Sequence, residues 1–390
     1  MKKLIAISSA AAIVFDIFTP FKLYFSGGRA LMLLLPTVLI FVHDDLFIRR
    51  QSIPLILYLV ACLLIMFAGS KYYNYPYFIQ ISFAFASLEH FLVTRDKVFV
   101  KYVMVALYGT LLLMVAVSLP LFISMPNLSR LMINAEENGM MAPIMYWTIQ
   151  YSTLHALPIY SIPLFYFARK RRGIIKKASI ICIVAIFILM FYADTTTGVI
   201  INIAVFASLM IYNQRLSLKK NIQRLSILAI MLIATLNKTV MISILRLVQP
   251  IFSGSSTYTK IDLTIAAMLG QGISGDLESR ENLLNLTLDS FISNPLLPEL
   301  DITRIGQHNM IIDQIVVLGV FLAIPFIWFL IERIKRPWPF LSTDSKPYYL
   351  MGIAVLLIMG LVKNFFLLFP ACSILPTLFI SEELKKQMKR

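Results

Sequence analysis

Apolar stretches long enough to cross a lipid bilayer recur along the whole chain, and they limit its fold more than any other feature. A transmembrane helix needs about 20 mostly apolar residues. A soluble protein carries about 25% charged residues, whereas this chain has 14% charged and 59% hydrophobic residues, which excludes an ordinary soluble enzyme. We predict an all-α polytopic membrane protein with about 12 transmembrane helices, near residues 4–20, 30–43, 53–70, 76–93, 98–124, 144–168, 178–194, 198–213, 225–245, 308–331, 347–363 and 364–381.

The positive charges predict the orientation of these spans. With the N-terminus inside and twelve spans, 25 of the 35 Lys and Arg residues fall on the inner side, as the positive-inside rule requires. An eleven-span arrangement would place the basic tail, Lys385–Arg390, outside. We therefore expect both termini in the cytoplasm. The net charge of +15 then reflects topology and predicts no nucleic-acid partner.

The sequence offers no metal site and no nucleotide site. Cys62, Cys182 and Cys372 lie in apolar stretches without metal-ligand spacing. P-loop, GxSxG and HExxH motifs are absent from the sequence, so ATP-driven transport and metal-dependent hydrolysis have no support. We expect no cofactor.

One long polar segment divides the chain into three parts. We predict a nine-span membrane bundle over 1–245, a large outer loop over 246–307 and a three-span part over 308–390. Within the loop, the run after Ser279-Arg280 repeats apolar residues at i, i+4, i+7 and i+8, typical of an amphipathic helix that Asn294-Pro295 would end. We expect this helix to lie on the membrane surface; its apolar positions are Leu284, Leu288, Phe291 and Ile292.

Arg280 is a candidate anion-binding residue. It precedes Leu284 by four residues and lies near the start of the predicted helix. A guanidinium there adds to the unpaired amides of the first helical turn, and both favour an anion. The alternative is an interfacial arginine that extends to lipid headgroups.

His308 is a candidate general base because it lies where the outer loop meets the tenth span. Histidine is the side chain best suited to accept a proton near neutral pH; the alternative is a histidine that caps a helix. Asn309 and Asp313 are spaced i, i+4 and share a helix face. Asp313 follows His308 by five residues, about 140° around a helix, so we do not expect it to orient this histidine directly.

These residues lie in a longer motif that resembles a known family. The stretch Arg280…Phe291-Ile-Ser-Asn294-Pro295-Leu296…Gly306-Gln-His308-Asn309-Met-Ile-Ile-Asp313…Leu318-Gly319-Val320 resembles the signature of bacterial O-antigen polymerases (Wzy) and the related O-antigen ligases. Outside residues 280–320 the resemblance rests on the span layout and the large outer loop.

The resemblance implies a bacterial inner-membrane glycosyltransferase of the GT-C type that needs no metal and acts on the periplasmic face. Its donor would be an oligosaccharide linked to undecaprenyl pyrophosphate, and its further partners would be the lipid bilayer and a chain-length regulator. By position, Arg280 matches the arginine that binds the donor pyrophosphate. His308 matches the histidine proposed to activate the acceptor hydroxyl.

The chain departs from the family pattern at two points. It has Leu297-Pro298 where many members have a glycine, and Asp194-Thr-Thr-Thr197-Gly198 where many have a Ser-Arg pair. The second departure removes a cation that could bind phosphate. Four other cations are candidates to replace it: Lys238, Arg246, Arg304 and Arg29. Lys238 and Arg246 share one side of the ninth span because of their i, i+8 spacing.

Three functions remain open at this point. Ligases tend to carry a glutamate nine residues after the histidine, where this chain has Val317, whereas polymerases more often carry an aspartate at the position of Asp313. A polymerase is therefore favoured over a ligase. The third possibility is a lipid-linked oligosaccharide flippase. Internal repeats and paired broken helices would favour it, but the sequence shows no convincing repeat.

The fourth span carries an ionisable pair, Glu89-His90, near its inner end. Ionisable residues within spans are functional candidates by default. Because Arg95 follows closely, the alternative is an interfacial charge cluster.

Overall fold

The chain is helical throughout the part that the structure describes. The computed structural model describes residues 1–17, 26–72, 75–125, 128, 148–149, 151–193, 196–211, 220, 242–243, 245–247, 249–253, 256–269, 276–306 and 309–362. Over these ranges the regular elements are α-helices and short 3-10 helices, without a strand. The predicted all-α fold class is confirmed for this part of the chain.

The helices follow the apolar windows closely. Ten of the twelve predicted spans coincide with helices, whereas 364–381 and most of 225–245 lie outside the described residues. The α-helices are α1 (Lys2–Ile17), α2 (Ser26–His43), α3 (Ile53–Phe67), α4 (Tyr75–Thr94), α5 (Lys97–Ser124), α6 (Tyr151–Lys170), α7 (Ile174–Tyr192), α8 (Thr196–Ile211), α9 (Ser256–Met268), α10 (Asp276–Ser293), α11 (Met310–Lys335) and α12 (Lys346–Val362).

Three helical stretches of the described chain are long and apolar enough to cross a membrane. They are Arg50–Phe67, Lys97–Ser124 and Met310–Phe340. The α5 helix starts sharply because the Asp96 carboxylate accepts a hydrogen bond from the Val98 N–H at 2.8 Å, which caps the first turn. Its 28 residues span about 42 Å, more than the roughly 30 Å hydrocarbon core of a bilayer.

Aromatic packing joins α11 to α3 and α4. The rings of Phe85 and Phe329 meet edge to face with centroids 4.2 Å apart. Tyr58 stacks on Phe329 at 5.6 Å and also contacts Phe326 at 5.2 Å. All four side chains are buried, and aromatic pairs in this geometry contribute about 0.5–1.5 kcal/mol each beyond their buried area. α11 is therefore held firmly along its length.

Glu89 belongs to a buried ion cluster at one end of these helices. Its carboxylate accepts hydrogen bonds from the Arg336 guanidinium at 3.0 and 2.7 Å and forms an ion pair with Arg333. Next to it, His90 Nδ1 lies 2.7 Å from an Asp44 carboxylate oxygen. Of the two interpretations of the Glu89-His90 pair, these contacts favour the structural one.

The partners of this cluster differ from the sequence expectation. Arg95, the nearest cation in sequence, lies over the Phe340 ring at 4.1 Å, while the cations on Glu89 come from α11 and the residue after it. A further pair, Lys170 with Asp344 at 2.8 Å, joins α6 to the start of α12. The charge count assigns Arg333, Arg336 and Lys170 to the inner side. In the structure Arg333 and Lys170 lie in the last turns of α11 and α6, and Arg336 follows α11 directly.

Replacing Glu89 by Gln should destabilise the fold because it leaves Arg333 buried without its counter-charge. Breaking a buried pair in this way costs about 3–5 kcal/mol. We expect a clear drop in the melting temperature of the full-length protein in detergent. The control is Asp344→Asn, which breaks a pair whose side chains are 25% and 39% exposed and should cost about 1 kcal/mol or less. Equal effects of the two substitutions would contradict the role given to Glu89.

Candidate functional site

The predicted amphipathic helix is confirmed as α10. It runs over Asp276–Ser293 and ends directly before Asn294-Pro295. Proline disfavours helical backbone in the residue before it, which explains the end point.

The buried face of α10 differs from the predicted stripe. Among the residues of α10 whose side chains are described, the buried ones are Thr287 and Ser290, whereas Leu288 and Ile292 are exposed, the latter at 74%. The Thr287 and Ser290 hydroxyls are hydrogen-bond partners of a backbone N–H group and of carboxylates in the following loop and helix. Of the four predicted stripe residues, Leu288 and Ile292 are exposed and Leu284 and Phe291 are half-buried.

The Thr287 hydroxyl joins α10 to both sides of the loop–helix junction. It accepts a hydrogen bond from the Gly306 N–H at 2.7 Å and lies 3.3 Å from an Asp313 carboxylate oxygen. The other Asp313 oxygen accepts the Asn309 N–H at 3.0 Å. Asp313 is fully buried, so its carboxylate fixes the first turn of α11 instead of facing a ligand directly.

Gly306 lets the loop backbone lie directly against α10. A Cβ atom at this position would lie 2.2 Å from the Leu283 carbonyl oxygen, a distance that backbone atoms cannot accommodate without a shift. The residue type is therefore required by the close approach of two backbones.

A break in α11 receives the segment that follows α10. The Val320 N–H donates to the Pro295 carbonyl at 3.0 Å, and the Glu299 N–H donates to the Val316 carbonyl at 3.2 Å. In an unbroken helix Val320 would instead donate to Val316. The loop over 295–299 thus satisfies both backbone groups that the break exposes.

Gly319 makes this break possible. Its φ of 66° and ψ of 165° lie in a backbone region that is essentially restricted to glycine. A Cβ atom there would also lie 2.6 Å from the carbonyl carbon of Leu297. The Leu297-Pro298 departure from the family pattern therefore lies against the glycine that ends the motif.

A second set of polar contacts orders the loop between α10 and α11. The Glu299 carboxylate accepts the Ser290 hydroxyl at 2.6 Å and pairs with Arg304 at 3.1 Å. The pKa of the Asp301 carboxyl is lowered, first by hydrogen bonds from the Thr303 hydroxyl and N–H and further by the nearby charges of Arg304 and Lys71. Two cations from different segments thus lie at this loop.

The connection between α3 and α4 also reaches the first turn of α11. Tyr72 is buried there beside Asp313 and Gln314. Burial, followed by the charge of Asp313, raises its pKa well above the ordinary tyrosine value, so the phenol stays protonated. The Tyr58 hydroxyl donates to the Gln314 side-chain carbonyl at 3.2 Å. Asp313 and Gln314 are thereby tied to the membrane bundle.

The structure describes the predicted site residues to different extents. The backbone of Arg280 lies in α10, seven residues before Thr287 and hence on the same helix face, while its side chain lies outside the described part. His308 and Lys238 also lie outside it, and Arg29 is described only as backbone in α2.

The remaining predicted cations are described in full. Arg304 is half-exposed and paired with Glu299. Arg246 is exposed, next to a small apolar cluster that Ile242 and Leu245 form with Ile261 and Ile265 of α9. The described contacts therefore bring Arg304, Asn309 and Asp313 together with α10, whereas those of the segment around Arg246 are with α9.

Sequence reasoning missed Thr287, Glu299, Lys71 and Tyr72. Thr287 and Glu299 lie at unremarkable positions between apolar residues, so the sequence gives no signal for them. Lys71 did carry a signal, because it is one of the few cations that the charge count leaves on the outer side.

Comparison with known proteins adds no relative. Neither protein-family models nor curated proteins match this sequence. Among the described residues, the His, Cys, Asp and Glu side chains form no group of three that could hold a metal ion. The function must therefore be inferred from the site itself.

Gly319→Ala should destabilise the protein and disrupt the docking of the loop. The substitution forces a backbone strain of about 1–3 kcal/mol and a clash with the Leu297 carbonyl group. We expect a lower melting temperature and faster proteolysis within 294–306. Gly109→Ala is the matched control, since this glycine lies within α5 with no neighbour within 4 Å of a new Cβ. A Gly319→Ala protein as stable as the control would refute the proposed constraint.

Thr287→Val should loosen the junction between α10 and α11, because valine keeps the shape of threonine but removes the hydroxyl. It leaves the buried Gly306 N–H without its partner, which costs about 1–3 kcal/mol. Hydrogen exchange of full-length protein should show faster exchange over 283–306. Thr287→Ser retains the hydroxyl and should behave nearly as the parent protein; loss of protection in both variants would indicate packing rather than hydrogen bonding.

Proposed function

We propose that the protein is a polymerase of O-antigen or a similar surface polysaccharide, located in the bacterial cytoplasmic membrane. It would transfer the growing chain from undecaprenyl pyrophosphate to a sugar hydroxyl of an incoming lipid-linked repeat unit. The reaction would take place on the periplasmic face. The protein would have about twelve spans and a GT-C architecture, as the family resemblance implies.

The observation that carries the proposal is that the separate parts of the sequence motif form one packed unit. Gly306 lies against α10, Asp313 bonds to Thr287, and the Asn294-Pro295 segment enters the break at Gly319. These segments are up to about 40 residues apart in sequence. Local apolar periodicity alone would not require them to pack together, so their packing supports treating the motif as one site.

This unit supports roles for Arg280 and His308. Arg280 lies two helical turns before Thr287 on the same face. His308 lies between Gly306 and Asn309, whose N–H groups are bonded to Thr287 and Asp313. The chain is thus fixed on both sides of the proposed base, next to the helix that carries the proposed anion-binding residue.

In the proposed reaction the bond between the anomeric carbon and the pyrophosphate oxygen breaks, and the oxygen leaves with the electron pair. The acceptor hydroxyl oxygen forms the new bond to the anomeric carbon and gives its proton to His308. Arg280 stabilises the charge that develops on the leaving diphosphate, a form of electrostatic catalysis that is often the largest contribution. Lys71 and Arg304, which both lie near Asp301, are further candidate cations for this role.

The residue type at position 317 favours a polymerase over a ligase. The position at which ligases tend to carry a glutamate is Val317, and this side chain is fully buried in the hydrophobic core. A carboxylate at that point would be buried among apolar side chains, which is costly. The break in α11 is a single broken helix within the described residues, whereas a flippase would be favoured by a pair of them in two related repeats.

Deletion of the gene in its host tests the proposal on a gel of surface polysaccharide. We expect core carrying single repeat units, because the repeat is still made and attached but is not polymerised. Core without polysaccharide, with polymer retained on the carrier lipid, would indicate a ligase. Full chain lengths in the deletion strain would exclude both enzymes.

Complementation with point variants tests the site. Arg280→Ala and His308→Ala should each leave only single repeats, while the protein still appears in the membrane fraction. Arg172→Ala is the matched control, because this exposed arginine lies on the opposite side in the proposed topology and should restore full chains. Wild-type ladders from both site variants would remove the assignment of Arg280 and His308.

A further inference from the structure

A groove runs between α5, α6 and α7, away from the candidate site. Its volume is about 720 Å³, within the range of about 300–1,000 Å³ that small-molecule sites occupy. Lys97, Lys101 and Arg171 line one end. The rest of the wall is mostly apolar and includes Met104, Val105 and Leu112. We call it the α5–α7 groove.

The charged end of the groove collects cations from two helices. Lys97 and Lys101 are spaced i, i+4 at the start of α5 and therefore share a face. Arg171 follows directly after the end of α6. The Asp96 carboxylate precedes Lys97 and caps α5. The three basic side chains make this end of the groove attractive to an anion.

The apolar end of the groove has the position and length of a lipid tail site. From Lys97 to Leu112 the wall extends 15 residues along α5, about 22 Å. One leaflet of hydrocarbon is roughly 15 Å deep, so the groove is long enough to hold an acyl chain below its charged end. Val105 and Leu112 are 66% and 36% exposed, so the groove opens sideways along a helix that is long enough to span a membrane. The Tyr108 hydroxyl in this wall donates a hydrogen bond to the Tyr160 carbonyl at 3.2 Å, so it needs no polar partner from a ligand.

We infer that the α5–α7 groove binds an anionic glycerophospholipid. The phosphate lies among Lys97, Lys101 and Arg171, and an acyl chain follows α5 past Met104 and Val105. Basic pockets between transmembrane helices bind anionic headgroups in this way. A water-soluble anion would gain nothing from the apolar wall, and a zwitterionic lipid would gain little from three cations. The inference does not depend on the proposed polymerase activity.

Lipid binding to purified, delipidated full-length protein tests this inference. Native mass spectrometry with dioleoyl phosphatidylglycerol and dioleoyl phosphatidylethanolamine should show at least about tenfold tighter binding of the anionic lipid, since each surface cation contributes roughly 1 kcal/mol. Glycerol 3-phosphate, which has the charge without the tails, should bind much more weakly. Equal binding of the two lipids would overturn the inference, as would stronger binding of a polyprenyl phosphate than of phosphatidylglycerol.

Matched charge variants locate the site. The triple variant K97Q/K101Q/R171Q should lose about ten- to a hundredfold in affinity for phosphatidylglycerol and change little for phosphatidylethanolamine. The control R172Q/K176Q/K177Q removes three exposed cations, one before α7 and two in its first turn, that do not line the groove, and it should stay within about threefold of the parent. Equal losses in the two triple variants would show general surface attraction and overturn the site.

Two single variants guard against misfolding. Lys101→Gln changes one exposed side chain and should weaken phosphatidylglycerol binding about fivefold at an unchanged melting temperature. Ala178→Trp fills the groove at an exposed position while all three cations remain, and it should weaken both lipids. Unchanged binding in Ala178→Trp would overturn the tail site.

Discussion

The Val316 carbonyl and the Val320 N–H would bond to each other if α11 were continuous. At Gly319 the helix opens. The Val320 N–H donates instead to the Pro295 carbonyl, and the Val316 carbonyl accepts the Glu299 N–H. Unpaired backbone groups cost several kcal/mol where water is excluded, so the break and the loop stabilise each other. The loop then returns to α10 through Ser290 and Glu299. The geometry of the candidate site therefore depends on this exchange of hydrogen bonds.

α11 connects the candidate site to the rest of the protein. At its start, Asp313 bonds to Thr287 of α10, Gln314 accepts a hydrogen bond from Tyr58 of α3, and both lie beside Tyr72. In the middle, Phe326 and Phe329 pack against the aromatic side chains of α3 and α4. At its end, the ion pairs with Glu89 fix the helix to α4. Three different interactions hold one helix, so the site at its start rests on a rigid element.

The sequence predicted the helices better than it predicted their contacts. Length and apolar content are local properties. Ten of the twelve predicted apolar windows coincide with helices, and α10 ends before Asn294-Pro295 as predicted. Glycine positions in the motif were noted, but the backbone contacts of Gly306 and Gly319 depend on residues more than 20 positions away. The partners of Glu89 were missed for the same reason, since Arg333 is remote in sequence. Polar contacts between distant segments leave no periodic pattern.

The carboxylates near the candidate site are arranged so that they need not oppose a bound anion. Asp313 accepts the Asn309 N–H, Asp301 accepts groups of Thr303, and Glu299 accepts the Ser290 hydroxyl and the Asp301 N–H. Each carboxylate thus directs oxygen atoms toward donors of the fold, and hydrogen bonding to the charged form stabilises it there. Arg304 is partly neutralised by Glu299. The carboxylates of the site therefore hold the fold together, and the proposed binding of a diphosphate depends on the cations of the site. On α10 the candidate for this role is Arg280.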